Sequence, residues 1–245
     1  MASLLGVRDR WVVRGAVLVT VLALAIPAGA SAATSAARAA PVVPPFGKLY
    51  DRLSVAWWQY ALAQPAATNP LVDPTGANCR AGQSGPVFFL AGTAGSGTFT
   101  RDQCTVPFGR LLFFPLLNAF DVHTPGDGLD TPELVYEDFL KFGFRADTLH
   151  ASVDGVAVRH LDPATTPYRG CAAPVRGCTD PFSLVFPDAN LFGLPAGTYA
   201  PAVADGYYLL LLPLRPGAHT IAFGGTGNFS GPTSQDITYH LRVVR

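Results

Sequence analysis

The sequence predicts a mainly β protein, an antiparallel β-sandwich or jelly-roll-like domain with an N-terminal helix and one inserted helix. Three observations carry that reading. From Val87 onward, short apolar runs alternate with turn residues at intervals of roughly ten residues, the spacing of sandwich strands. Two of those runs, Pro86 to Ala91 and Leu111 to Leu117, are too consecutively apolar to alternate, and such strands suit a sheet covered on both faces. Helical spacing of apolar residues occurs near Leu53 and again near Leu134.

Residues 1–32 read as a secretory signal peptide. Arg8, Arg10 and Arg14 form its basic start, Ala16 to Ile26 its apolar run, and Ala30-Ser31-Ala32 its small-residue cleavage motif. The run is shorter than the ~20 residues a membrane span needs, and Tyr207 to Leu214 is short and broken by Pro213, so no transmembrane segment is expected after cleavage. Cleavage removes three arginines and one aspartate, taking the net charge from zero to −2. Charged residues make up 14 % of the chain, against roughly a quarter in average proteins, and no basic face is in prospect, so nucleic acid is not an expected partner. Residues 33–45 are an Ala/Pro-rich linker, and 46–245 form a single domain. The expected location is secreted or extracytoplasmic. Cys79, Cys104, Cys171 and Cys178 all follow the leader, and an even count in an oxidising compartment reads as two disulfides. Of three connectivities, Cys79–Cys104 and Cys171–Cys178 are preferred, because one brackets a hairpin and the other closes a loop. A four-cysteine zinc site would want paired C-x-x-C spacing, which is absent.

Phe46 to Gln64 predicts a helix stopped by Pro65. Leu49, Leu53, Trp57 and Tyr60 share one face, with Val55, Trp58 and Leu62 on the adjoining one, so the helix is expected to be covered. Trp57 and Trp58 have two readings: a stacking platform for a sugar ring, or indoles packing the helix on the sheet. The second is favoured, because adjacent tryptophans are rarely left to water. Asn69 to Asn78 is a turn-rich loop. Pro86 to Ala91, a Gly-rich hairpin at Gly92 to Gly97, a polar strand Thr98 to Val106 and the run Leu111 to Leu117 follow. Asn118 to Asp130 reads as a polar, acidic loop. Thr131 is an N-cap and Pro132 a first helical residue, giving a helix to about Phe142 that stops at Gly143. Leu149 to Leu161 is a hairpin around Asp154-Gly155, whose residues suit a type I′ turn. Pro163 to Asp180 is a loop. Strands are expected at Phe182 to Phe186, Tyr199 to Val203, Gly206 to Leu214, His219 to Gly224 and Ile237 to Val244, with a loose loop at Gly225 to Ser234.

The segments Ala56-Trp57-Trp58-Gln59-Tyr60, Asn69-Pro70, Asp73-Pro74-Thr75-Gly76, Gly82 to Thr93, Cys104-Thr105-Val106-Pro107 and Phe113-Phe114-Pro115 resemble a family of uncharacterised exported bacterial proteins. The resemblance covers about a third of the chain and implies an exported bacterial protein, with no activity and no catalytic residues attached. Arg215 to Ile221 with Tyr239 to Val244 is similar to the last strands of many bacterial extracellular β-sandwich modules, which carries fold information alone.

No complete catalytic motif is present. Gly82-Gln83-Ser84-Gly85 is not a nucleophile elbow, and Gly92 to Gly97 opens no helix and lacks the lysine of a phosphate loop. The strongest constellation is Asp121-x-His123 with Asp127 and Asp130. Such a loop can wrap Ca²⁺, hold Zn²⁺ or supply a general base, although acidic residues ahead of a helix also favour its dipole. His150 and His160 could face each other across their hairpin, and His219 and His240 could be neighbours. The expected function is a non-enzymatic binding or envelope-associated module, with a glycan or envelope protein as partner. The alternative is a metal-dependent hydrolase or lectin-like module centred on Asp121 and His123.

Overall fold

The computed structural model describes residues 39–245, so the signal-peptide reading of 1–32 and the start of the linker lie outside the described residues. Two sheets pack face to face. The central sheet has five strands, in the order β1 (Val87–Phe89), β4 (Leu111–Val122), β9 (Gly197–Leu211) and β7 (Arg169–Ala172), with β8 (Phe182–Phe186) also on β9. The outer sheet has six, in the order β2 (Gly97–Arg101), β11 (Pro232–Val244), β10 (Gly217–Asn228), β5 (Arg145–Val153) and β6 (Val156–Ala157), with β3 (Thr105–Pro107) also on β11. The sheets are mixed rather than purely antiparallel: β1 runs parallel to β4, and β2 and β3 run parallel to β11.

That correction has a local origin. Gly92 to Gly97 is not a hairpin. It carries the chain from the central sheet across to the outer one, so β1 and β2 never pair. The polar strand expected at Thr98 to Val106 is broken into β2 and β3, and Cys104, between them, is joined to Cys79 with Cα atoms 5.6 Å apart. Cys171 is joined to Cys178, with Cα atoms 5.0 Å apart. Two disulfides fit an oxidising, extracytoplasmic environment.

The central sheet is buried on both sides, which is why its strands read as unbroken apolar runs. Leu112, Phe114, Leu116, Leu209 and Leu211 face the outer sheet, where Ile221, Phe223, Ile237 and Leu241 meet them. Phe113, Tyr208, Leu210, Leu184 and Phe186 face helix α1 (Leu49–Leu62). The outer sheet has one wet face, and β11 alternates accordingly. Helix α2 (Pro132–Lys141) lays Val135 and Phe139 on Ala119 and Val203. Its N-cap is the predicted Thr131, whose side chain accepts from Leu134 N.

Helix α1 is shorter at both ends than its apolar pattern. Asn69 closes it from outside, its amide donating to Ala61 O at 2.9 Å and Gln64 O at 3.1 Å. It lands on β7 at Gly170, where a Cβ would sit 2.6 Å from Tyr50 O. The Tyr50 hydroxyl donates to Val43 O and accepts from Leu210 N, while Val43 N donates to Leu210 O. The described part of the linker therefore lies along the end of β9.

Other departures from the sequence reading are extensions of strands. β4 continues through Asn118 to Val122, because β9 pairs with it as far as Ala202. β9 is one strand rather than two. β10 and β11 stay paired from Gly217↔Val243 to Asn228↔Pro232, so Gly225 to Ser234 is hairpin and not loose loop. β7 lies inside the expected Pro/Cys loop. Among the described residues no helix is long and apolar enough to cross a membrane.

Candidate functional site

The site starts from a gap in the central sheet. β1 pairs with β4 only at Leu111 to Phe113, and Leu90 N makes the last bond on that edge, to Phe113 O at 3.0 Å. Gln235 of β11 takes the next two positions, its amide donating to Pro115 O at 3.1 Å and Leu116 O at 2.7 Å, where β4 bulges against β9. Beyond it, among the described residues, no strand pairs with this edge of β4. Backbone groups of alternate strand residues point to opposite edges. His123 N bonds Pro201 O on the β9 side, so Asn118 and Phe120 turn their N–H and C=O groups to the open edge.

A cavity of ≈ 310 Å³ opens there. Leu62 and Leu71 wall it from the α1 side, Leu117 and Phe120 from β4, and Leu191 and Phe229 from the loops above. No charged side chain lines it. Its polar members are Trp58, Asn118, Gln235, Thr93 and Thr233. Trp57 and Trp58 part company at this point. Trp57 is buried, with its indole N–H on Leu90 O at 3.0 Å, as packing predicts. Trp58 lies against Phe120, ring centres 4.5 Å apart, and is 6 % exposed. Both Trp58 and Asn118 turn N–H groups toward the Tyr208 hydroxyl. Asn118 makes that bond, at 3.3 Å, and the buried Trp58 N–H is left with no acceptor. Burial pushes the Tyr208 phenol well above its usual range.

The remaining wall, Thr93 to Gly95, is held from behind. Thr93 N donates to Gln235 Oε1 at 3.2 Å, and Ala94 N to Leu71 O at 3.3 Å. A Cβ on Gly92 would collide with the same Gln235 oxygen. Arg101 secures the preceding residues. It is fully buried, and its guanidinium donates to Ala91 O at 2.6 Å, Gly92 O at 2.8 Å, Asp73 O at 2.9 Å and the Tyr239 hydroxyl at 2.6 Å. The Asp73 carboxylate is engaged elsewhere, accepting from Thr75 N, Thr75 Oγ1 and Asn78 N. Burial would raise its pKa, but those bonds hold it below the usual value. The sequence reading passed over Arg101. Its signal was parity: in Phe99-x-Arg101 the arginine shares the inward side with an aromatic residue.

The acidic constellation is divided by the fold. Asp121 lies within β4, where Oδ1 accepts from Val122 N at 2.8 Å and Oδ2 is buried without a partner. Burial raises its pKa, and the charges of Asp138 and Asp127 add to this against the Val122 N–H and Lys141. His123 Nδ1 meets Asp127 Oδ1 at 2.7 Å. Asp127 also accepts from Leu129 N at 2.8 Å and from the Thr124 hydroxyl at 2.9 Å. Its slight burial opposes ionisation, but the hydrogen bonds win and lower its pKa to about 2. Asp130 is exposed. Among the described residues, no three His, Cys, Asp or Glu side chains are grouped to hold a metal ion. The expected Ca²⁺ or Zn²⁺ loop is therefore not assembled from these four: one is capping a strand edge, two are locked in a turn and one faces water.

The other histidines follow the same pattern. His219 Nδ1 meets Asp154 at 2.8 Å, His240 Nδ1 meets Asp102 at 2.7 Å, and His150 Nε2 lies 3.4 Å from Asp236. β6 ends at Ala157, so His150 and His160 do not pair across the hairpin. Among the described residues these rings meet carboxylates and one backbone carbonyl, and no hydroxyl or thiol hydrogen-bonds them. No protein-family model matches the chain, and no curated protein or solved structure is significantly similar to it.

Proposed function

We propose that the chain is an exported, non-enzymatic binding protein that holds a small, largely apolar ligand in the cavity at the open edge of β4. The cavity is the observation that supports it. It is a cleft open to solvent, and other clefts among the described residues reach ≈ 450 Å³, so its apolar lining and not its size is what supports the reading. This one, at ≈ 310 Å³, lies at the lower end of the ~300–1,000 Å³ of small-molecule sites, with apolar walls and a few placed polar groups. Binding rather than turnover is favoured because no titratable side chain lines it to move a proton. A glycan fits less well than an apolar ligand, because its many hydroxyls would exceed the donors and acceptors available. Export is supported by the leader motif, by the two disulfides and by the resemblance to exported bacterial proteins.

The test is titration with the neutral fluorophore N-phenyl-1-naphthylamine. The expected result is saturable binding of one probe per chain, weakened at least ~10-fold in Ala94→Trp, which places an indole over the mouth from an exposed loop position. Non-saturable uptake, or binding indifferent to that substitution, would overturn the reading.

A further inference from the structure

The open edge of β4 bears on the occupant's backbone. Resting on the binding function just proposed, we infer that the cleft takes an extended, uncharged peptide segment, which adds a short strand to the central sheet beside Asn118 and Phe120. An unpaired strand edge is a template for another chain, and folded proteins mask such edges. Here side chains do the masking on either side of the cleft. Gln83 covers the outer edge of β1, its Nε2 donating to Phe89 O at 2.7 Å and its Oε1 accepting from Phe89 N at 3.0 Å. Gln235 covers Pro115 O and Leu116 O, and Asp121 Oδ1 takes Val122 N at 2.8 Å. Between Gln235 and Asp121, the N–H and C=O groups of Asn118 and Phe120 face away from β9 and have no partner among the described residues. The gap in the masking falls where the cleft gives access to it.

Those groups alternate as donor and acceptor along one edge, a pattern that a second strand completes and a plain hydrocarbon does not. An extended peptide of about three residues spans them, its first and third residues opposite Asn118 and Phe120. Side chains follow the pleat. Phe120 turns its ring to Trp58 and Asn118 its amide to Tyr208, both on the α1 side, so the first and third side chains fall there too, toward Leu62 and Leu71. The middle side chain falls on the other side, toward Phe144 and Phe229. All three are therefore apolar, as in the doubly covered strands already in this sheet. Charge is matched in the same way. No charged side chain lines the cleft, so a free terminus, a lysine or a glutamate would enter without a counter-ion. The occupant is accordingly an uncharged interior stretch of a chain.

The probe is N-acetyl-Val-Leu-Val N-methylamide, followed by displacement of the naphthylamine and by residue-resolved amide exchange. It is expected to displace the fluorophore saturably and, at saturation, to slow exchange of the Asn118 and Phe120 amides at least ~10-fold. A backbone N-methyl group then tests the pairing. Placed on the third residue it removes an N–H that meets β4, and binding should weaken ~10-fold. Moved to the second residue, whose N–H points away from β4, it should cost less than ~3-fold. Displacement that leaves both amides unprotected would overturn the inference, and so would equal effects of the two methyl positions. Saturable fluorophore binding that the peptide cannot displace would overturn it too, while leaving the cavity reading intact. Failure of both fluorophore and peptide to bind would remove the cavity reading and this inference together.

Discussion

Arg101 places a guanidinium in the sandwich with carbonyls and a phenol around it instead of a carboxylate. A planar fork can serve Ala91, Gly92 and Asp73 together, which an ammonium cannot. Arg101→Met should therefore lower unfolding free energy by ~3 kcal/mol or more, since several buried carbonyls lose their donor. Urea denaturation would measure it, and Arg101→Lys should recover little. Full recovery by lysine would show that charge and not shape is what the site needs. Asp121 gives the opposite kind of case. Its folded pKa is raised above the ordinary 3.8, so the native state binds more protons than the unfolded chain in the window just above that value. Stability must then fall as pH rises through the window. Asp121→Asn is expected to gain about 1 kcal/mol, ~2–4 °C in Tm, at pH 7, and to lose that advantage as pH drops through the window. Asp127, lowered to about 2, works in reverse: its contribution is present above 3.8 and is lost as pH falls through about 2. At this scale the sequence was least legible. Trp58 and Trp57 are adjacent letters of the same type, and nothing local says that one indole finds Leu90 O while the other finds no acceptor.

Elements were more legible where local chemistry decides them. Thr131-Pro132 starts α2, and Asp154-Gly155 turns β5 into β6 with φ of +51° and +77°, because these residues settle their own backbone. The two unbroken apolar runs correctly implied a sheet covered on both faces. What local chemistry could not show was pairing. Thr98 to Arg101 looks like the return arm of a hairpin, yet its partner is Asp236 to Tyr239, whose position no nearby residue announces. Asn118 to Asp121 looks like loop because it is polar, yet β9 holds it in strand. The contact of α1 with β7 is equally hidden, since Gly170 reads as a loop glycine. There the missing side chain is the point: Gly170→Ala would push against Tyr50 O and should destabilise by ~1–3 kcal/mol, with loss of near-UV dichroism from the aromatic layer beneath α1. An alanine variant as stable as the parent would mean that the helix can lift off β7 without cost.

Across the whole molecule, the two sheets have different relations to chain order. The central sheet is complete once Leu211 has been made, and α1 and α2 already have their seats on it. The outer sheet is organised around β11, which accepts β2 and β3 on one side and β10 on the other. Thr93 and Gln235, whose bond steadies the cavity wall, are 142 residues apart. Closing a loop of that length, and waiting for the strand that closes it, makes such pairings late events in folding. Because synthesis runs from the amino end, a nascent chain can pair its central sheet well before the strand that completes the cleft exists. The chamber acquires its back wall and Gln235 in the same stroke, when β11 arrives. If the cleft binds as proposed, an occupant would in turn favour docked β11 over frayed β11.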